Sequence, residues 1–153
     1  MNEFVIRNAL ASEKALLEDL QLRASLTNEG DREALLAHPD AIDLPMEQIA
    51  AQDVFVLEIG GLVAGFAALL PRLDGDTELD GLFVDPDLRR RGAGRMLVEY
   101  SAQIARDRGS KALWVIGNPH AEEFYFSCGF SAIGQFETRF GPALQMRKPL
   151  LPA

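Results

Sequence analysis

Cysteine is almost missing from this chain: Cys128 stands alone among 153 residues, so no internal disulfide can form and the sequence suits a reducing compartment. Histidine is nearly as scarce. His38 and His120 lie far apart, with no thiols or paired carboxylates at ligand spacing beside either, so no metal site is expected. No stretch approaches the ~20 apolar residues of a membrane-spanning helix. The opening Met1-Asn2-Glu3-Phe4-Val5-Ile6-Arg7 lacks the basic region and apolar run of a secretory leader, and a soluble cytoplasmic protein with no membrane partner is the expectation. Basic residues are also in deficit. Fifteen Lys and Arg against twenty-three Asp and Glu leave a net charge of −8, a field that repels polyanions and argues against nucleic acid as a partner. Acidity suits a cationic acceptor such as an amine, and it serves solubility equally well.

What is present is an ordinary core-forming composition, 48% apolar over a length that suits one domain spanning 1–153. Phe4 to Arg7 reads as a short strand. Ser12 then stands where a helix cap is expected, before Leu16, Leu17, Leu20 and Ala24 at helical spacing. Between Thr27 and Pro45 the pattern is polar and broken, with short helices expected over 32–37 and 46–51 and a substrate-facing role for the region. Val54 to Ile59, Gly60-Gly61 and Leu62 to Leu70 predict a hairpin with a two-residue turn. Glu78 to Val84 reads as a strand interrupted by Gly81, a candidate bulge. Gly92 to Arg108 carries the longest helical pattern and stops at Gly109. Lys111 to Ile116 reads as a strand around Trp114, and a helix from Pro119 to Ser127 ends at Gly129. Two closing strands, Phe130 to Phe136 and Ala143 to Met146, flank Gly141-Pro142.

The segment Arg89-Arg90-Arg91-Gly92-Ala93-Gly94 follows a strand and opens a helix. Glycines there let backbone approach a ligand closely, the first N–H groups of the helix lack intrahelical acceptors, and the macrodipole adds positive potential. Arg89 to Arg91 and Arg95 add mobile charge, so the turn reads as a site for a diphosphate. A dinucleotide fingerprint needs a third glycine where Leu97 stands, and the Lys-Ser/Thr pair of a nucleotide P-loop is missing.

Arg89-x-x-Gly92-x-Gly94 resembles the acyl-CoA signature of the GNAT superfamily of N-acetyltransferases. A second signature of that family, Asn-x-x-Ala-x-x-x-Tyr followed by Gly-Phe, is similar to Asn118, Ala121, Tyr125 and Gly129-Phe130. The resemblance covers nearly the whole chain. It implies a single α/β domain in which a mixed, mostly antiparallel sheet of six to seven strands is flanked by about four helices, with two central strands splayed apart. It implies acetyl-CoA as cosubstrate, its pyrophosphate on Arg89 to Arg95 (Ala93 included) and its pantetheine arm beside Phe83, Val84 and Asn118. The activity implied is acetyl transfer to a primary amine of a small molecule, peptide or protein by direct attack in a ternary complex. A non-catalytic acyl-CoA sensor of the same fold is the alternative.

An amine with a pKa near 10 is mostly protonated at neutral pH, so acyl transfer needs a base, direct or through water. Glu78 stands at the spacing before Val84 where lysine-directed members of the family carry their glutamate, and Asp80 or a relayed water competes for the role. A normal carboxylate is a weak base, so Glu78 needs either partial burial to raise its pKa or a relay through ordered water. By the same resemblance Tyr125 returns a proton to the leaving thiolate; its ring is also suited to packing beside Phe124, Phe126 and Phe130. Asn118 before Pro119 is an expected helix cap as well as a pantetheine contact. An acyl-cysteine route through Cys128 is not expected. The apolar tail from Phe136 to Leu151 either mediates the homodimer seen in many relatives or finishes the sheet.

Overall fold

The computed structural model describes residues 4–27, 29–89, 91–138 and 141–150, with the side chains of 29–31, 39 and 136 left aside. The elements are β1 (Phe4–Asn8), α1 (Lys14–Ser25), α2 (Glu29–Ala37), α3 (Met46–Ala50), β2 (Val54–Ile59), β3 (Leu62–Pro71), β4 (Thr77–Val84), α4 (Ala93–Asp107), β5 (Ala112–Gly117), α5 (Glu122–Ser127), β6 (Ser131–Thr138) and β7 (Gly141–Pro149). The strands form a seven-stranded sheet in the order β1-β2-β3-β4-β5-β7-β6. The fold is mixed α/β and mostly antiparallel; β4 and β5 pair in parallel.

The chain divides into two compact units, one comprising 1–68 and 81–97, the other 69–80 and 98–153. In the first unit β1, β2 and β3 make an antiparallel meander, and Gly60 and Gly61 adopt φ of +58° and +85° at the tip. Two successive positive φ values define the primed turn whose twist matches that of the strands, which is why Gly-Gly stands there. Leu17 and Leu20 of α1, Leu44, Ile49 of α3, Val54, Val56 and Phe66 form its core. Leu16 lies one step off that stripe and is 49% exposed, contrary to expectation. Ser12 does not cap α1 either. It sits inside a 3-10 turn over Ala11–Glu13, and the Glu13 carboxylate reaches back to accept the Leu10 N–H at 2.8 Å.

In the second unit β5 pairs with β7 along its whole length, and β7 pairs in turn with β6. The registered β4–β5 ladder is short, matching Thr77, Glu78 and Leu79 with Leu113, Trp114 and Val115. Leu79, Val115 and Met146 occupy one cross-strand row and are all buried. Gly141 and Pro142, expected in the final turn, open β7 instead, opposite Thr138 and Glu137. Among the described residues no helix is long and apolar enough to cross a membrane.

Candidate active site

In the first unit, β4 ends in a turn fixed at several points. The Asp85 N–H donates to the Ala64 carbonyl at 2.7 Å, Asp85 Oδ1 accepts the Asp87 N–H at 2.9 Å, and Arg23 of α1 donates to Asp85 Oδ2 at 3.0 Å. Upstream, β3 runs so close to β4 that a Cβ on Gly65 would stand 2.7 Å from the Phe83 carbonyl oxygen and 3.4 Å from the Val84 Cα. The Phe83 ring packs on Phe66, centroids 5.4 Å apart. Gly92 then takes φ of +83° with open space around its would-be Cβ, so backbone conformation rather than room requires glycine there. The Met96 N–H closes the first helical bond to the Gly92 carbonyl at 3.0 Å. Ahead of it the N–H groups of Ala93 and Gly94 have no acceptor within α4, and Arg91 and Arg95 are exposed beside them. Arg89 ties this turn to the end of α1, its Nη2 donating to Thr27 Oγ1 at 2.7 Å and to the Ala24 carbonyl at 3.3 Å. A cation there complements the negative end of α1. Arg90 lies outside the described residues.

In the second unit, Glu78 is half-buried on β4. Burial, and then the nearby Asp80 carboxylate, push its pKa above the ordinary glutamate range, with Arg72 opposing. Tyr125 on α5 is buried, its ring edge-on to Phe124 and Phe130 at centroid distances of 5.2 and 5.4 Å. Among the described residues its hydroxyl makes no hydrogen bond. Burial, and secondarily Cys128, raise its pKa well above the ordinary phenol value, so the proton stays on the oxygen through neutral pH. The ring is seated by Gly117 at the end of β5, where a Cβ would fall 3.3 Å from Tyr125 and 2.8 Å from Met146. Asn118 follows, and its Oδ1 accepts the His120 N–H at 3.1 Å, the capping geometry expected of it. Cys128 is buried, an environment that suits packing more than nucleophilic chemistry. Among the described residues no group of His, Cys, Asp and Glu is placed to hold a metal.

A family model described as "Acetyltransferase (GNAT) family" matches residues 19–130, well over half of the chain. The chain belongs to the GNAT family. A ribosomal protein bS18-alanine N-acetyltransferase of Salmonella typhimurium is 40% identical over 72 residues, which cover 45% of this chain and 48% of that protein. The chain spans about half the length, or less, of the curated relatives it matches. The solved ribosomal-protein-S18-alanine N-acetyltransferase of Escherichia coli superposes with a TM-score of 0.71 at 25% identity, covering 99% of this chain and 96% of that one. The PaiA N-acetyltransferase of Thermoplasma acidophilum, solved with coenzyme A, matches in fold with a TM-score of 0.76 at 16% identity, covering 96% and 99%.

Within this GNAT chain the second unit also gathers residues that the sequence reading did not select. The Trp114 indole N–H donates to Asp76 Oδ2 at 3.0 Å, and the guanidinium carbons of Arg72 and Arg147 lie 4.2 and 5.7 Å from its ring centroid. Glu78 pairs with Trp114 and Trp114 with Arg147, so the three share one face of the sheet. Alternation along each strand is legible in sequence; which strands are neighbours is not.

Proposed function

We propose that this chain is an acetyl-CoA-dependent N-acetyltransferase, a single domain over 1–153 that acetylates a primary amine by direct attack in a ternary complex. The observation that carries the reading is the Gly92 turn, where a left-handed glycine delivers the free N–H end of a 15-residue helix with Arg91 and Arg95 beside it. Such a terminus recognises a diphosphate through oriented donors and macrodipole together. Membership in the GNAT family directs that diphosphate to coenzyme A.

In this reading the Phe83–Val84 backbone pairs with the pantetheine arm and polarises the thioester carbonyl, while Asn118 lies along the arm. Glu78, its basicity raised by burial, accepts the ammonium proton directly or through water. The amine nitrogen bonds to the carbonyl carbon, the carbon–sulfur bond breaks, the Tyr125 hydroxyl protonates the departing thiolate, and the proton that the new amide nitrogen sheds restores that hydroxyl. Arg89 acts by fixing the loop to α1. Acceptors range from small amines to protein N-termini, the latter class being that of the alanine N-acetyltransferases it resembles.

The test is thiol release from acetyl-CoA against a panel of amines, polyamines and peptides, with calorimetric titration of CoA alongside. Turnover on at least one acceptor, and loss of CoA binding in Gly92→Asp, are the expected results. CoA binding with no turnover on any acceptor would turn the reading to an acyl-CoA sensor.

A further inference from the structure

The face of the second unit that carries Glu78 is built in cross-strand rows, and the row through Glu78 is Glu78, Trp114, Arg147 and Ser131, one residue from each of β4, β5, β7 and β6. The next row, Leu79, Val115 and Met146, points the other way into the core. Charges on the Glu78 face are mostly accounted for. Asp76 is committed to the Lys111 and Ala112 N–H groups and to the Trp114 indole, and Arg72 pairs with Asp74 at 3.1 Å while stacking on Trp114. Arg147 differs. Its guanidinium lies near the Trp114 ring, 5.7 Å from the centroid, and among the described residues it makes no ion pair or hydrogen bond. It is half-buried, and a guanidinium held against an indole keeps its N–H edge available for a planar anion.

Resting on the acetyltransferase reading, we propose that Arg147 and Trp114 form an anion subsite for the acceptor, and that the preferred acceptor is an amine bearing a carboxylate at its far end. Glu78 and Arg147 are two strands apart, about 10 Å between Cα atoms, which is about the span of three extended residues. An amine at Glu78 and a carboxylate at Arg147 therefore describe a short peptide or an elongated amino acid. The acidic residues Glu78 and Asp80 complement its cationic end, and Arg147 its anionic end.

The experiment compares trialanine with trialanine amide, which differ only in the terminal carboxylate, on wild type, Arg147→Gln and Arg147→Lys with saturating acetyl-CoA. The expected KM of wild type for trialanine is about tenfold lower than for the amide, as befits one charge-assisted contact. Arg147→Gln erases that difference with kcat held within about twofold, and Arg147→Lys restores part of it, since charge survives but the planar fork does not. Equal KM values for the two peptides in wild type, or an equal rise for both in Arg147→Gln, would overturn the subsite. Trp114 is the only tryptophan of the chain, so quenching of its fluorescence gives a binding readout independent of turnover. Tighter quenching by trialanine than by its amide without any thiol release would retain the subsite and defeat the acetyltransferase reading; turnover with no carboxylate preference would do the reverse.

Discussion

Asp76 and Trp114 are joined by an indole N–H donated to Oδ2 at 3.0 Å, while Oδ1 of the same carboxylate accepts the backbone N–H groups of Lys111 and Ala112 at 2.8 and 3.2 Å. One side chain before β4 thus ties down the start of β5 and its tryptophan. Burial pushes the Asp76 pKa up, but the three donors outweigh it and the net shift is downward. A lowered folded-state pKa means the carboxylate stabilises the fold above the unfolded value of about 3.9, and that this contribution is lost as pH falls through the folded value. Asp76→Asn is expected to lower Tm at pH 7 and to flatten its decline below about pH 4; thermal melts of both proteins across pH measure this. Asp76→Ala, which strands three donors, is expected to cost about 1–3 kcal/mol in urea unfolding.

Gly65 is required by its neighbour. A methyl at this position would meet the Phe83 carbonyl oxygen at 2.7 Å, a backbone atom with no rotamer to yield. Gly65→Ala is expected to destabilise by about 1–3 kcal/mol. Displacement of the Phe83–Val84 backbone is further expected to weaken CoA binding in calorimetry more than Ala substitutions elsewhere on β3 that cause the same loss of Tm.

Under the proposed mechanism Glu78 sets stability against activity. Its folded pKa is raised, so ionising it costs the folded state, and stability is lost as pH rises through that value. Glu78→Gln removes the cost. Its Tm is expected to equal or exceed that of wild type at pH 8, with the gap closing near pH 3, while kcat falls by about a hundredfold or more. In wild type the acidic limb of kcat/KM is expected to report an apparent pKa above the ordinary glutamate range, and the variant to lack that limb.

Tyr125→Phe keeps the ring that packs on Phe124, Phe130 and Gly117 and removes a hydroxyl that makes no hydrogen bond among the described residues. The stability change is expected to stay within about 0.5 kcal/mol, whereas kcat drops about a hundredfold if the hydroxyl protonates the thiolate. Unchanged turnover of acceptors would remove Tyr125 from the chemistry and leave it a packing residue.

The parts of the fold and of the candidate site legible in the sequence are those made by local backbone. Gly92 before a long helical pattern, the Gly60-Gly61 hairpin tip and the Asn118-Pro119 cap each follow from what one or two residues do to φ or to a neighbouring N–H, and each is found as expected. Expectation failed where two local devices competed. At the start of α1 the Glu13 carboxylate, rather than Ser12, satisfies an N–H of the turn. Arg89 is another place where local pattern says little: its Nη2 reaches the Thr27 hydroxyl and the Ala24 carbonyl, partners distant in sequence.

By itself, then, the amino-acid sequence determined the element order and the left-handed glycine that opens α4, because both depend on periodicity and on contacts a few residues long. Tertiary structure decided what stands across from what. Strand β7 is inserted between β5 and β6, and the resulting register sets Arg147 beside Trp114 and Trp114 beside Glu78, residues whose spacing along the chain carries no sign of it. The reason is physical: alternation assigns a side chain to one of two faces of its own strand, while neighbourhood across a sheet arises only when the buried faces of all strands are satisfied together.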